Sequence, residues 1–174
     1  MRVLLIIVPL LLSACGGSAE RTGTTASRTV AGPGFGFAVP VGWRAAQTAR
    51  SVVARRAGDA AGPLVSATIL PLAKPYSPSQ FAAAARELNG LAAQLAHASG
   101  GTVTESVTTT VDGRRIRAYR FTSHPAGKPA ADVRIGFLLE GRHEYQLLCQ
   151  APSGAGDPDG ACALLFGSFA PAPA

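Results

Sequence analysis

The chain predicts an α+β fold: a central antiparallel β-sheet of about six to seven strands, flanked by one long helix and a short C-terminal helix. Three observations carry this expectation. Runs of alternating apolar residues recur after residue 34, and two of them are interrupted by the turn pairs Asp112-Gly113 and Gly141-Arg142. Before those runs, residues 77–101 hold one apolar stripe at helical spacing between a start and a stop signal. Near the end, Cys162, Leu165, Phe166 and Phe169 share a second helical face.

The first fifteen residues are of another kind. Arg2 precedes an unbroken apolar run over residues 3–12. A helix of that length spans about 15 Å, half of the roughly 30 Å hydrocarbon core, so the run reads as a secretory leader and not as a membrane span. Leu12-Ser13-Ala14-Cys15 closes it in the pattern of a bacterial lipobox. An ordinary signal peptidase needs small side chains at the first and third positions before the cut; Ala14 suits the first, but Leu12 is too large for the third. The lipobox pattern implies cleavage between Ala14 and Cys15, a diacylglycerol on the Cys15 thiol and an N-acyl lipid on its new amine. The competing reading is a secreted protein whose Cys15 carries no lipid. With about 0.8 kcal/mol per buried methylene, two or more chains anchor stably. The expected location is therefore the cell membrane, lipid-anchored on the extracytoplasmic face, with no other cofactor and no metal.

Residues 15–33 are mostly Gly, Ser, Thr, Ala and Arg, too poor in apolar surface to offset their ordering entropy, and are expected to form a flexible tether. A single globular domain is expected over residues 34–170, followed by a tail at 171–174. The chain has 174 residues and a formal charge of +6, and only Lys74 and Lys128 are lysines among its 16 basic residues. Such an arginine bias beside abundant Ala, Gly and Pro reflects a GC-rich bacterial genome. On a tethered domain the positive charge suits anionic lipid or wall polymer, and equally an ordinary solvated surface. No aromatic-interleaved basic patch occurs, so nucleic acid is not an expected partner. With Cys15 assigned to lipid, Cys149 and Cys162 remain as an even pair in an oxidising compartment. They are expected to form a disulfide contributing roughly 3 kcal/mol. Two buried free thiols are the alternative; a zinc site lacks a nearby His pair.

In chain order, Phe35, Phe37 and Val39 alternate with small residues as a strand does, and Pro40 with Gly42 ends it in a turn. Residues 51–56 and 64–72 read as two more strands. Ser77-Pro78-Ser79-Gln80 is a capping box with Pro at the first helical position. Phe81, Ala84, Leu88, Leu91, Leu95 and Ala98 follow as the apolar stripe, and Gly100-Gly101 supplies the stop, with His97 in the last turn. Val103, Val107 and Val111 are expected on one face of a strand that turns at Asp112-Gly113 and returns through Ile116, Tyr119 and Phe121. A second hairpin runs through Val133, Ile135, Phe137 and Leu139, turns at Gly141-Arg142, and returns through Tyr145, Leu147 and Cys149. Asp157-Pro158 caps the closing helix, which the Cys149–Cys162 bridge would staple to the sheet.

Five arginines, Arg114, Arg115, Arg117, Arg120 and Arg134, fall on or beside adjacent strands. They read either as an anion site for lipid phosphate, a teichoic-type polymer or a carboxylate ligand, or as a solvated sheet face guarded by charge against edge pairing, which is the commoner origin of such a pattern. His143 and Glu144 are adjacent, hence on opposite faces, and His124 stands alone beside Pro125. Trp43 suits a core anchor better than a stacking platform. Neither a Gly-x-Ser-x-Gly elbow nor a His-Glu-x-x-His helix occurs, so no catalytic residue is nominated.

Phe35-x-Phe37-x-x-Pro40-x-Gly42-Trp43 resembles the opening of proteins with the PsbP-like fold, among them actinobacterial lipoproteins of the LpqN type. One long helix, two hairpins, Cys149 at a strand end, Ala161-Cys162-Ala163 and Gly167-Ser168-Phe169 extend the resemblance over residues 35–169. It implies an α/β/α sandwich without a shared catalytic site, in a group made up mostly of accessory or binding proteins. The expected function is a non-catalytic, membrane-anchored domain that binds an envelope protein, polymer or lipid. The alternative is a carrier that holds a small apolar or lipidic ligand between the long helix and the sheet. An envelope hydrolase would need a polar dyad within a cleft.

Overall fold

A computed structural model describes residues 26–59 and 62–172. The Leu12-Ser13-Ala14-Cys15 pattern lies outside the described residues. Among the described residues nine strands form two sheets, and two α-helices pack on them. The smaller sheet joins β1 (Ser27–Gly32), β2 (Phe35–Pro40) and β9 (Ala170–Pro171) in the order β1-β2-β9. The larger contains β3 (Trp43–Gln47), β4 (Ser51–Arg56), β5 (Leu64–Tyr76), β6 (Val103–Val111), β7 (Arg114–Ser123) and β8 (Ala131–Pro152). Its order is β3-β4-β5-β8-β7-β6, antiparallel throughout.

β8 holds the second expected hairpin. Fully extended, 22 residues would span roughly 70 Å. Instead the segment folds back at Gly141-Arg142, and Ser153 N donates to the Ala130 carbonyl at 3.0 Å beyond its two ends. One arm pairs with β7 through residues 131–137 and the other with β5 through residues 143–150. The first hairpin turns at Asp112 and Gly113, whose φ values of 49° and 72° are those of a type I′ turn.

The sheet carries one core on each face. Beneath α1 (Phe81–Ala98), Leu88, Ala92 and Ala96 pack on Tyr119, Phe121, Val133, Ile135 and Phe137. On the other face α2 (Ala161–Ser168) and the small sheet bring Phe35, Phe37, Val39, Leu165, Phe166 and Phe169 against Ile116, Ala118, Leu138 and Leu147. Helix α1 begins as its sequence dictates: the Ser77 amide donates to Gln80 Oε1 at 2.8 Å, one half of the capping box, and a 3-10 turn over Pro78–Gln80 leads in. It ends in a Schellman motif, with Gly100 N bonded to the His97 carbonyl and Gly101 N to that of Ala96, both at 2.9 Å.

Four expectations need correction. Residues 27–32, expected in the flexible tether, form a strand: β1 pairs with β2 along its whole length, and the single buried Val30 suffices because backbone bonds to β2 hold it. The tail likewise starts later than 171, since Pro171 pairs with Phe35 and Ala172 N bonds to the Gly34 carbonyl at 2.9 Å. The stripe of α1 is narrower than the spacing suggests: alanines let the helix sit close to the sheet, which leaves Leu95 on the outer side, 39% exposed. Finally, a bulge between Val103 and Glu105 reverses the alternation of β6, so Val103 packs under α1 while Val111 joins the opposite core.

Candidate functional site: an arginine-bearing cleft

The five arginines do not form one cluster. Along β7 Ile116 and Ala118 face the α2 side, and Tyr119 and Phe121 face α1. Arg115 and Arg117 therefore lie on the α1 side. Arg115 covers the Phe81 ring at 4.4 Å and donates to the Pro78 carbonyl, while Arg117 donates to Asn89 Oδ1 at 3.1 Å and to the hydroxyls of Ser106 and Thr108. Both serve to fasten α1 and its lead-in to the sheet. Arg114 is on the opposite face, held by Asp112 and by Glu140, the latter at 2.8 Å.

Arg120 and Arg134 are different. They sit directly opposite one another on β7 and β8, on the α2 side, and both line a cleft of about 350 Å³. Its other walls include Trp43, Leu64 and the Cys149–Cys162 disulfide, whose Cα atoms are 5.6 Å apart. Arg120 is paired with Glu105 at 3.0 Å. Arg134 lies 3.9 Å above the Phe166 ring centroid, a cation–π stack on a buried ring. That ring in turn occupies the space over Gly136, where a Cβ would come within 2.7 Å of it. Burial, and secondly the neighbouring Arg120, pull the Arg134 pKa below its ordinary value.

The cleft's acids are already committed. Asp132 accepts from Gly154 N at 2.8 Å and from the hydroxyls of Thr122 and Ser153, both at 3.0 Å; these bonds, the Gly154 amide first, hold its carboxyl below the usual range. Asp157 caps α2 as its sequence position suggested, its two oxygens accepting from Cys162 N at 2.8 Å and Ala163 N at 2.9 Å. Trp43 is an anchor: it is buried, and its indole N–H donates to Asp159 Oδ2 at 3.0 Å. Arg56 binds the same oxygen at 2.8 Å, and the two bonds lower the Asp159 pKa, Trp43 contributing first.

Sequence reasoning nominated both cleft arginines but grouped them with three that do other work. The signal that separates Arg115 and Arg117 from Arg114 and Arg120 was present: residue parity along one strand. Phe166 beneath Arg134, and the tie from Trp43 to Asp159, were not visible, because each joins segments far apart in the chain. Between α1 and the sheet Ala92 and Ala96 are fully buried, and the 350 Å³ cleft opens on the other face. Among the described residues no group of three or more His, Cys, Asp or Glu side chains could hold a metal ion, and no helix is long and apolar enough to cross a membrane.

No family model and no curated protein matches the chain. Solved structures do. The solution structure of the cyanobacterial PsbP (CyanoP) from Synechocystis sp. PCC 6803 superposes with a TM-score of 0.56 at 12% identity, covering 89% of this chain and 98% of that one. A crystal structure from Bacteroides thetaiotaomicron VPI-5482 gives 0.55 at 8% identity, over 83% of this chain and 48% of that one. At such identities the likeness speaks for architecture alone, and it agrees with two sheets, one long helix and a short C-terminal one: the chain has a PsbP-like fold.

Proposed function

We propose that this protein is a membrane-anchored, extracytoplasmic lipoprotein whose domain is a non-catalytic binding module for a component of the cell envelope. The anchor rests on Leu12-Ser13-Ala14-Cys15, which supplies the leader, the spacing and the thiol for a diacylglycerol and an N-acyl lipid. The binding role rests on the division of labour in the cleft. Asp132 and Asp157 spend both carboxylate oxygens on structural hydrogen bonds, while Arg134 faces the cleft with no carboxylate partner among the described residues. A cleft built this way offers a guanidinium with open N–H groups beside apolar surface. It lacks the matched acid and base that proton transfer needs. The likeness to PsbP-like proteins supports this reading through the accessory role the group implies.

Two measurements test it. Metabolic labelling with an alkyne fatty acid should mark the full chain and fail to mark Cys15→Ala; equal labelling of the two would remove the anchor. Pull-down from detergent-solubilised envelopes, with the intact chain as bait, should recover a partner or polymer that is lost under competition by excess untagged chain. Recovery that does not respond to the competitor would count against a binding module.

A further inference from the structure

We infer that the cleft between β7, β8 and the start of α2 is a binding site for a phosphate group, gripped by Arg134 and Arg120. This deepens the binding reading above and rests on it.

Like charges directly opposite on neighbouring strands repel one another, so an Arg–Arg pair weakens the sheet unless something offsets it. Arg120 is offset by Glu105 across the next strand pair. Arg134 is not. Among the described residues it has no carboxylate within 4.0 Å and makes no side-chain hydrogen bond; its guanidinium sits over the Phe166 ring. A half-buried guanidinium seated over an aromatic ring, with its N–H groups unspent, has already lost part of the side-chain freedom that binding would otherwise cost. Its planar fork matches two oxygens of a phosphate, and Arg120, one strand away, can reach a third. Asp157 and Glu105 are near enough to act on Arg134 electrostatically, but Asp157 is spent on the α2 amides and Glu105 on Arg120. The open donors of Arg134 favour an anion over a cation, since those carboxylates are already engaged, and two guanidinium groups on different strands suit tetrahedral oxygens better than a flat carboxylate. Leu64 and the disulfide form the apolar side of the cleft, where the organic part of the ligand would lie.

Trp43, the chain's one tryptophan, lines the same cleft and makes its fluorescence a local reporter. The full chain in a maltoside micelle is titrated, at constant ionic strength, with inorganic phosphate and separately with glycerophosphoglycerol, the headgroup of an anionic phospholipid without its acyl chains. A saturable change is expected. Arg134→Met keeps the stem on Phe166 and removes the fork, and should weaken binding by about tenfold or more. Arg117→Gln, on the α1 face, should bind as the parent does. Tighter binding of the diester than of inorganic phosphate identifies a lipid headgroup as the source, and the reverse order a free phosphate. The inference is overturned if neither probe gives a saturable signal, or if Arg134→Met, shown to be folded by its thermal transition, binds as well as the parent. Envelope pull-down that survives in Arg134→Met would then leave the binding module intact and the phosphate site refuted.

Discussion

Asp159 shows how much one side chain can organise in this fold. It stands at φ 58°, a backbone conformation uncommon for a residue with a Cβ, in the turn just before α2. Its carboxylate is held by the Trp43 indole and the Arg56 guanidinium, which ties β3 and β4 to the loop that opens α2. Those bonds favour the charged form and depress the folded pKa. Its contribution is thus complete above the unfolded value of about 3.9 and is lost as pH falls through the lower, folded value. The parent should lose thermal stability as pH drops below about 4, and Asp159→Asn should show a shallower decline. Thermal melts from pH 6 to pH 2.5 would reveal it; Asp132, depressed likewise, keeps part of the slope in the variant. Parallel pH profiles for the two proteins would show that the Trp43–Asp159–Arg56 contact contributes nothing. The ion pair is solvent-exposed, so its worth at neutral pH is small.

Among elements, β8 and α2 are joined covalently by Cys149–Cys162 across a separation of 13 residues. On the chain-entropy account, replacing both cysteines with alanine should cost roughly 3 kcal/mol, read as a lower urea midpoint with little change in slope. An unchanged midpoint would mean that the packing of Leu165, Phe166 and Phe169 holds α2 unaided. Elements with their own local signals were legible in the sequence: the strand from Phe35, the capped helix, both hairpin turns and the Asp157 cap. β3 was not, since only Trp43 of its five residues is buried and the rest show no period to read. β1 was hidden for a related reason. Its alternation exposes all but Val30, so composition resembles a linker, and only pairing with β2 makes it a strand. The bulge in β6 was unreadable too, because one extra residue in a strand leaves the composition as it was and changes only which face each side chain meets. The cleft was half legible: its arginines could be named, but the ring that orients Arg134 and the bonds that use up Asp132 and Asp157 depend on tertiary contacts.

At the scale of the molecule, the central sheet is packed on both faces while the small sheet is packed on one. β7 and the first arm of β8 carry side chains into both cores, under α1 and against α2. β1 is an edge strand with one buried side chain, and β9 pairs with β2 through just two residues. Both ends of the described chain thus meet at β2, and both of its partners are strands of low burial. Opening free energy follows buried contacts and backbone protection, and edge elements open without the rest. Native-state hydrogen exchange should accordingly show β1 and β9 amides exchanging at a fraction of the free energy found for β7 and β8. The β2 amides that bond to β1 should follow β1, while the Ala38 amide, bonded at 2.7 Å to Ser168 Oγ, should exchange with α2. If β1 exchanged only through global unfolding, the small sheet would be an integral part of the cooperative core. If it opens first, β1 can leave β2 while β7, β8 and their arginine pair stay folded, because β1 makes no pair with the larger sheet.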